Sequence, residues 1–506
     1  MTRATASLPV ASLGGSSLVQ HDLVVVGGGP AGYAAALYGA AAGLDVGLVE
    51  EHLLGGTCLH VGCIPAKELL ETASVLRTVR DAATFGVRVG GAADDDDGPT
   101  VDLTVSQVRK QKVIDGLAKG VASLLKGRDV TVYDGTGRLS AAHVVSIDHG
   151  VGDPTLVVAE HVVLATGSSP RTIPGFEIDG TLVVTSDELL SIDRVPDRVA
   201  VIGGGAIGCE FASMLSDYGS TVTLLEAAPE ILVGCDADVA TAIRRSFRRR
   251  KIDVHVGTVV HGHQPTGGGT TVVRFGPLDA SEEGGGEEGG GGDATELEVD
   301  LVVVSVGRRP RGDSAGLVGT RVAVDDRGFI EVDDRLRTGE PGVYAVGDVV
   351  ATPQLAHVGF AEGMFVVGDL LGESPRPIDP STVPWCIYSH PEVAFAGLTE
   401  AAAIAAGHDV VVSSHRFVSN GRAMIVGETD GLVKVVAARD ADGRAGRILG
   451  VHMVGPWVTE QLGQGYLAVN WEATVDEVAA FIQPHPTLSE LFGETMLSLT
   501  GRALHG

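Results

Sequence analysis

Two stretches of the chain show the same order of apolar and polar positions. Residues 22–50 read DLVVVGGGPAGYAAALYGAAAGLDVGLVE, and residues 198–226 read RVAVIGGGAIGCEFASMLSDYGSTVTLLE. Each begins with an apolar β-branched run, passes through three glycines into a segment of helical period, and ends in a second apolar run. Each stretch therefore predicts a strand–helix–strand unit, and the chain is expected to have an α/β fold built on an internal repeat.

Each repeat carries a GxGxxG motif between its first strand and its helix. The glycines are Gly27, Gly29 and Gly32 in the first copy and Gly203, Gly205 and Gly208 in the second. In this motif the first glycine permits a tight turn, the second lets the backbone approach a pyrophosphate, and the third lets helix and strand pack closely. Two copies, each ending in an acid, predict two dinucleotide sites rather than two turns without a ligand.

The acids that close the repeats, Glu50 and Glu226, stand where a carboxylate hydrogen-bonds a ribose hydroxyl. The residues after Glu226 are AAPE, with no arginine to hold a 2′-phosphate. We therefore expect the second site to take NAD rather than NADP.

Other patterns outline the remaining parts of the chain. Apolar runs that end in glycine-containing turns predict strands at 162–175, 301–311 and 342–350. Two acidic, glycine-rich stretches, 90–99 and 278–298, are typical of solvated loops. From about residue 378 a final block has its own strands and helices.

Composition and charge narrow the class of protein. The chain has 506 residues, of which 44% are hydrophobic, and a formal net charge of -28. That acidity repels phosphate backbones and anionic membranes, so neither nucleic acid nor a membrane is an expected partner. No apolar run approaches the roughly 20 residues that span a bilayer. The N-terminus is predicted to be a flexible tail, and the protein to be cytoplasmic.

Cys58 and Cys63 have four residues between them in LLGGTCLHVGCIPAKELLETA, in a chain with only five cysteines. Pro65 suits the first turn of a helix, so Cys63 is expected near a helix N-terminus, where the thiolate is favoured. A dithiol beside a dinucleotide fold predicts a centre that cycles between disulfide and dithiol. A zinc site using His52 and His60 and a purely structural disulfide are weaker alternatives, and no metal is expected.

Dithiol chemistry and hydride transfer to NAD require an adaptor, and a flavin performs both. The first dinucleotide site lies closest in sequence to the cysteines, so FAD is expected there and NAD in the second site.

Several motifs together resemble the flavin-dependent disulfide oxidoreductase family over about residues 20–505. They are GGTCLHVGCIPAK, ATG at 165–167, GGGAIGCE, VGRRP, YAVGD, LAHVGFAEG, HPEVAFAGLTE and HPTLSE. More narrowly, they resemble the members of that family that oxidise protein-bound dihydrolipoamide with NAD. The resemblance implies two Rossmann-like dinucleotide-binding domains and an α+β C-terminal dimerisation domain.

The resemblance also implies roles for individual residues. Cys58 is expected to meet the substrate and Cys63 to face the flavin, with Lys67 near the flavin and paired with Glu210. The FAD site is expected to comprise Gly27, Gly29, Gly32, Glu50, Gly56, Thr57, Lys67, Thr166, Gly167, Asp348 and Ala356. The NAD site is expected to comprise Gly203, Gly205, Gly208, Glu226 and Gly307.

His485 and Glu490 in HPTLSE are expected to form an acid–base pair, because a carboxylate on one ring nitrogen leaves the other nitrogen as the base. The resemblance implies that the other subunit of a homodimer contributes this pair. It also implies a lipoyl-bearing acyltransferase (E2) or lipoyl carrier of a 2-oxoacid dehydrogenase complex as partner. The chain departs from the pattern at Arg311, where the family usually has Asn, and a local turn is expected to differ.

The predicted organisation has five parts: a tail at 1–20, a first FAD-binding part at 21–167, an NAD-binding domain at 168–306, a second FAD-binding part at 307–377 and an interface domain at 378–506. Alternative functions are reduction of a mycothiol-like or glutathione-like disulfide, or activity of the mercuric reductase type. Mercuric reductases carry a C-terminal cysteine pair that SLTGRALHG lacks. A purely non-catalytic binding role is a weaker alternative.

Overall fold

A computed structural model describes residues 19–89, 98–278 and 294–505. The chain forms two compact units. The described residues up to 65, 109–169 and 308–378 form the first unit, and those within 66–108, 170–307 and 379–506 form the second.

In chain order the strands are β1 (Val19–Val26), β2 (Val46–Glu50), β3 (Thr131–Asp134), β4 (Thr136–Ala141), β5 (Val144–Asp148), β6 (Thr155–Leu164), β7 (Ser168–Pro170), β8 (Val183–Val184), β9 (Arg198–Ile202), β10 (Thr221–Leu225), β11 (Asp253–His255), β12 (Thr258–Pro265), β13 (Thr271–Pro277), β14 (Thr295–Val299), β15 (Leu301–Val304), β16 (Arg308–Pro310), β17 (Val343–Ala345), β18 (Trp385–Ile387), β19 (Glu392–Gly397), β20 (Val410–Arg416), β21 (Leu432–Arg439) and β22 (Ala445–Gly455).

The helices are α1 (Pro30–Ala41), α2 (Gly56–His60), α3 (Cys63–Asp81), α4 (Leu103–Lys126), α5 (Ser186–Leu189), α6 (Ala206–Tyr218), α7 (Ala237–Arg249), α8 (Ala356–Leu370), α9 (Glu400–Ala405), α10 (Gly421–Val426), α11 (Val458–Asn470), α12 (Val475–Ala479) and α13 (Glu490–Leu499). Short 3-10 turns include Gly347–Val349.

The first unit is built on a sheet of order β3-β2-β1-β6-β5-β4, with β17 also beside β6. Strands β3, β2, β1, β6 and β17 run parallel, while β4 and β5 form an antiparallel extension. Leu23 and Val25 belong to one apolar cluster and Val24 and Val26 to another. Both faces of β1 are therefore covered, which explains its uninterrupted apolar run.

The second unit contains a parallel sheet of order β11-β10-β9-β15-β8 and a three-stranded antiparallel sheet β12-β13-β14. Its C-terminal part is an antiparallel sheet of order β18-β19-β22-β21-β20 with helices α9 to α13. The predicted fold class, with two parallel-sheet halves and an α+β C-terminal part, is confirmed.

Some predicted boundaries differ from the structure. Strand β1 begins at Val19, inside the predicted tail, and most of that tail lies outside the described residues. Strand β14 begins at Thr295, inside the predicted loop 278–298, because Leu297 and Val299 alternate with polar neighbours and pair with β13. Most of that loop and of the predicted loop 90–99 lies outside the described residues. In the part of the chain that the structure describes, no helix is long and apolar enough to cross a bilayer.

Candidate active site

The first glycine of each motif makes the turn that follows its strand. Gly27 has φ +107° and Gly203 has φ +104°, a conformation that favours glycine. A Cβ on Gly27 would stand 2.2 Å from the Ala165 carbonyl oxygen, and one on Gly203 would stand 2.5 Å from that of Ser305. Both positions therefore require glycine for conformation and for space.

The other two glycines differ in what surrounds them. A Cβ on Gly32 or Gly208 would stand 1.8 Å from the carbonyl oxygen of Gly27 or Gly203, so these two glycines let helix and turn meet. A Cβ on Gly205 would meet nothing described within 4 Å, and one on Gly29 would meet only the Gly56 Cα at 4.0 Å. The second glycine of each motif thus leaves open backbone at the start of a helix, where a pyrophosphate is stabilised.

The acids that end the two repeats are held in the same way. Glu50 Oε2 accepts from the Gly28 N–H at 2.6 Å, and Glu226 Oε2 accepts from the Gly204 N–H at 2.6 Å. The second oxygen of each accepts a further backbone N–H, from His52 at 2.8 Å and from Ala228 at 2.7 Å. Each carboxylate is thereby fixed at the end of its second strand, beside the glycine turn.

The cysteine segment is docked on the first glycine turn. Gly56 begins α2, and a Cβ on it would stand 2.6 Å from the Gly29 Cα. Cys58 lies in α2 and is half-buried, whereas Cys63 begins α3 and is exposed. Gly62 lets the two helices approach, because a Cβ there would stand 3.2 Å from the Cys58 Cα. The two cysteines are thus held near the predicted FAD turn within the first unit.

Tyr33 was not predicted from the sequence as a site residue. Burial raises the pKa of its phenol, and the nearby Cys58 raises it further. Its ring packs against Phe360, with centroids 5.5 Å apart. The sequence GPAGY does not indicate that Tyr33 lies near Cys58, because a tyrosine at this position is ordinary for a helix.

Lys67 and Glu210 meet in the second unit, as the resemblance implies. Lys67 Nζ lies 2.9 and 2.8 Å from the two oxygens of Glu210, whose side chain is buried. The Tyr388 N–H donates to Glu210 Oε1 at 2.9 Å, and Lys67 Nζ lies 4.9 Å from the Tyr388 ring centroid. Tyr388 thus contacts both members of the pair. It was not predicted from the sequence, because it lies far along the chain from Lys67 and Glu210.

Asp348 lies in the 3-10 turn that follows β17. Its Oδ2 accepts from the Ser168 hydroxyl at 2.6 Å, and Arg308 Nε lies 3.7 Å away. Ser168 also accepts from Arg308 Nε at 2.7 Å. The ATGSSP and VGRRP motifs therefore meet at Asp348. The sequence predicted Asp348 as a cofactor residue, but not its partners Ser168 and Arg308.

The other predicted cofactor residues lie at turns. The Thr166 hydroxyl donates to the Arg311 carbonyl at 3.0 Å, and Gly167 has φ +71°. Gly307 has φ +101°. Arg311 Nη2 lies 2.6 Å from Glu51 Oε1, so the departure from the family pattern forms an ion pair next to Glu50.

Two further predicted residues lie in the first turns of helices: Thr57 is the second residue of α2, and Ala356 is the first residue of α8.

His485 and Glu490 lie within hydrogen-bonding distance in the second unit. His485 Nδ1 is 2.9 Å from Glu490 Oε2, and the His485 side chain is 75% exposed while that of Glu490 is 17% exposed. Asn420, which is buried, donates from Nδ2 to the Thr487 carbonyl at 3.0 Å and to Glu490 Oε1 at 3.4 Å. The pair thus has a fixed acid and an accessible ring, which suits a general base.

The residues present fit a dinucleotide in each half. Each half combines open backbone at the second glycine, the N-terminus of a long helix and a carboxylate at the end of the second strand. The first half adds the cysteine segment and Asp348.

Fold and site together define a two-dinucleotide disulfide oxidoreductase. The chain matches the family model "Pyridine nucleotide-disulphide oxidoreductase" over residues 21–363 and the dimerisation domain of that family over residues 383–496. The chain belongs to this family, as its motifs predicted, and the expected cofactors FAD and NAD are confirmed with it.

Its relatives include dihydrolipoyl dehydrogenases. One from Bacillus subtilis is 40% identical over 494 residues, covering 96% of this chain and 99% of that protein. One from Haloferax volcanii is 38% identical, covering 96% of this chain and 97% of that protein. Among solved structures, LpdA from Mycobacterium tuberculosis has a TM-score of 0.84 at 24% identity, covering 95% and 100% of the two chains, and shows the shared fold.

The HOCl-induced flavoprotein disulfide reductase RclA from Escherichia coli, as a Cu(II) complex, has a TM-score of 0.81 at 26% identity, covering 95% of this chain and 99% of that one.

Proposed function

We propose that the protein oxidises protein-bound dihydrolipoamide to lipoamide and reduces NAD⁺ to NADH. The observation that carries the proposal is the docking of the cysteine segment on the first glycine turn, where Gly56 packs on Gly29 two residues before Cys58. A dithiol at a flavin site is the arrangement that exchanges an electron pair with a dithiol substrate. Relatives named dihydrolipoyl dehydrogenase, 35 to 40% identical over nearly the whole chain, support this substrate.

In the proposed reaction, His485 Nε2 accepts a proton from one thiol of dihydrolipoamide, and Glu490 stabilises the imidazolium on Nδ1. The substrate thiolate attacks Cys58 in the Cys58–Cys63 disulfide, forms a mixed disulfide and releases Cys63 as a thiolate. The second substrate thiol then closes the lipoamide ring and releases Cys58. The substrate has lost two electrons, which the cysteine pair has gained, and two protons, one now on His485 and one on the released Cys58 thiol.

A bound FAD would supply the acceptor for these two electrons and the donor of a hydride to NAD⁺, with one of the two protons completing the hydride and the other released to solvent. For this step the chain supplies residues that bind and orient. Gly27, Gly29 and Glu50 hold the adenosine and pyrophosphate end of FAD, and Asp348 with Ser168 is placed to hold its ribityl chain. Lys67, fixed by Glu210, is assigned to the flavin ring.

The dimerisation domain supports a homodimer. We propose that His485 and Glu490 of one subunit serve the cysteine pair of the other, which agrees with the exposure of the His485 ring. A lipoyl-bearing acyltransferase (E2) or lipoyl carrier is the proposed macromolecular partner. A cytoplasmic location stays a prediction of the sequence.

The substrate is tested by comparing turnover on dihydrolipoamide with NAD⁺ against NADH- and NADPH-dependent reduction of glutathione and mycothiol disulfides. We expect dihydrolipoamide with NAD⁺ to give the highest kcat/KM. A higher kcat/KM on either of the other disulfides would move the proposal to a reductase of low-molecular-weight disulfides.

The base is tested by His485→Gln. We expect oxidation of dihydrolipoamide to slow by about 10²–10⁴-fold, the contribution typical of a general base, while reduction of the flavin by NADH stays unchanged. Stopped-flow absorbance of the two half-reactions separates these effects. His505→Gln is the matched control, because His505 also pairs with a glutamate of α13, Glu494, at 3.3 Å. Equal loss in both half-reactions would contradict the assignment.

A further inference from the structure

Glu362 is a buried carboxyl group that the proposed reaction does not use. It lies in α8 and its relative exposure is 1%. Its Oε2 accepts from the Gly347 N–H at 2.6 Å. Its Oε1 and the Thr352 hydroxyl are both buried and make no hydrogen bond of standard geometry among the described residues, but the hydroxyl lies close enough to Glu362 to favour its charged form. The side chain is thus attached to the turn that contains Asp348.

The same side of α8 packs against the start of α1. A Cβ on Gly359 would stand 3.1 Å from the Ala31 Cβ, and one on Gly363 would stand 2.4 Å from the Ala31 carbonyl oxygen. A Cβ on Gly347 would stand 2.9 Å from the Ala31 Cβ. Ala31 is the second residue of α1, directly after the glycine turn. Glu362 therefore lies where α8, the Asp348 turn and the phosphate-binding end of α1 converge.

The charges around Glu362 favour its neutral form. Burial raises its pKa to about 7, and the Asp348 carboxylate raises it as well, whereas the Thr352 hydroxyl and the Gly347 N–H oppose the shift. Helix α1 has no charged side chain. The nearby cation Arg308 pairs with Asp348 rather than with Glu362, since its Nε lies 3.7 Å from Asp348 Oδ2.

Two other titratable groups of α8 lie at its ends. His357 is in the first turn, and Asp369 is in the last turn, where it is paired with Arg335 and Arg337.

We propose that Glu362 is a positioning residue of the FAD site which acts in its protonated form, and that loss of its proton loosens the bound FAD. This inference rests on the proposed placement of FAD at Gly29 and Asp348. The neutral carboxyl holds the Asp348 turn against α1. The ionised form places a second buried negative charge beside Asp348 and near the pyrophosphate, where charge without a partner is strongly disfavoured.

Linkage gives the direction of the pH dependence. FAD that binds better to the protonated protein raises the pKa of Glu362 further, so release accelerates as pH rises from about 7 upward. One linked proton changes the affinity by at most about tenfold per pH unit. FAD release from the holoenzyme is therefore expected to become faster between pH 7 and pH 9.

The test follows flavin fluorescence as FAD leaves the holoenzyme after dilution, from pH 5.5 to pH 9. We expect Glu362→Gln to release FAD at a nearly constant, slow rate, close to that of the parent protein at acidic pH. Thr352→Val removes a hydroxyl that favours the ionised form, so the acceleration should begin at higher pH. The exposed Glu331 supplies the matched control, Glu331→Gln, which should keep the parent pH profile.

The possible results distinguish an error in the role of Glu362 from an error in the placement of FAD. If Glu362→Gln keeps the parent pH dependence, or if Thr352→Val leaves its onset unmoved, the role of Glu362 is wrong. Asp348→Asn tests the placement of FAD: it should speed FAD release at every pH. An unchanged release rate in Asp348→Asn would overturn the placement itself, whatever Glu362→Gln does.

Discussion

At the scale of single residues, the chemistry depends on side chains whose partners are remote in sequence. His485 and Glu490 are five residues apart, so their pairing could be predicted from HPTLSE alone. Asn420 could not be predicted, because it precedes Glu490 by 70 positions and nothing in its local sequence indicates a contact. Tyr388 and Ser168 were missed for the same reason. Short-range pairs follow from spacing, whereas the groups that orient them depend on the fold.

Asn420 is expected to position the acid of the proposed base. Its Oδ1 accepts from the Ala423 N–H at 2.9 Å, which fixes the amide so that Nδ2 points to Thr487 and Glu490. Asn420→Ala should slow dihydrolipoamide oxidation by up to about 100-fold through misplacement of the carboxylate, with the NADH half-reaction unchanged.

Steady-state kinetics supply the second measurement. A displaced carboxylate slows the proton transfer rather than substrate binding, so Asn420→Ala should lower kcat while KM for dihydrolipoamide stays near that of the parent protein. Asn470→Ala is the control, because Asn470 donates to the Tyr466 carbonyl within its own helix, α11. If Asn420→Ala lowers stability but leaves kcat unchanged, Asn420 has only a structural role.

At the scale of elements, both strand–helix–strand repeats could be predicted because their periodicity, glycine turns and terminal acids agree with one another. The start of β14 at Thr295 was harder to predict from the sequence. Its alternation of Leu297 and Val299 with polar residues is present in TELEV, but the acidic stretch before it suggested a longer loop. The local composition did not indicate a strand, because β14 is stabilised by its pairing with β13, which lies elsewhere in the chain.

Substitutions at two glycines of the second repeat should distinguish an effect on NAD⁺ binding from an effect on the stability of the fold. Gly205 has φ -72°, and a Cβ there would meet nothing described within 4 Å. Gly205→Ala is therefore expected to leave the melting temperature unchanged but to raise KM for NAD⁺ by about tenfold or more, equivalent to about 1.4 kcal/mol.

Gly208→Ala forms the matched comparison, because its Cβ would stand 1.8 Å from the Gly203 carbonyl oxygen. Overpacking of this kind should lower stability by about 1–3 kcal/mol or more. Thermal unfolding and steady-state kinetics on both variants distinguish the two effects. An unchanged KM for NAD⁺ in Gly205→Ala would mean that the open side of the turn is not where NAD binds.

At the scale of the whole molecule, the compact units do not coincide with the parts predicted from sequence. The described residues of 66–108 stand within the first predicted FAD-binding part, yet they cluster with the described residues of 170–307 and 379–506. The Tyr218 hydroxyl donates to the Leu69 carbonyl at 2.7 Å, and Arg77 pairs with Asp217. Motifs mark where cofactors bind, but compactness depends on side-chain packing between distant segments. The functional boundaries stay predictions.

An ion cluster centred on the buried Lys434 and Asp236 joins the NAD-binding half to the C-terminal sheet within the second unit. Lys434 of β21 lies 2.9 Å from Asp236, 2.8 Å from Asp238 and 2.7 Å from Glu400. Burial alone disfavours the charged ammonium, but the hydrogen bonds to these three carboxylates outweigh it and raise the pKa of Lys434. Burial likewise opposes ionisation of Asp236, yet the hydrogen bond from Lys434 lowers its pKa.

The cluster should make the protein sensitive to loss of one partner. Removing the ammonium in Lys434→Met leaves Asp236 buried without its cation, which should lower the free energy of unfolding by about 3–5 kcal/mol. Urea denaturation at pH 7 measures this, with the exposed Lys119→Met as control. Lys434→Met combined with Asp236→Asn should recover part of the loss, because the buried charge is then gone. No recovery would mean that Lys434 stabilises the fold by packing.

The direction of the pH dependence follows from Asp236. Its pKa in the folded protein lies below the ordinary value of 3.8, so the folded state binds fewer protons than the unfolded state in that window. The stability it contributes is present above pH 3.8 and is lost as pH falls through the lower folded value. Lys434→Met removes the main cause of the shift, so its stability should fall less steeply on acidification than that of the parent protein. Asp236 also caps the N-terminus of α7, where its Oδ1 accepts from the Asp238 N–H at 3.1 Å. Parallel acid-unfolding curves, followed by circular dichroism, would show that Asp236 gains its stability from this cap rather than from Lys434.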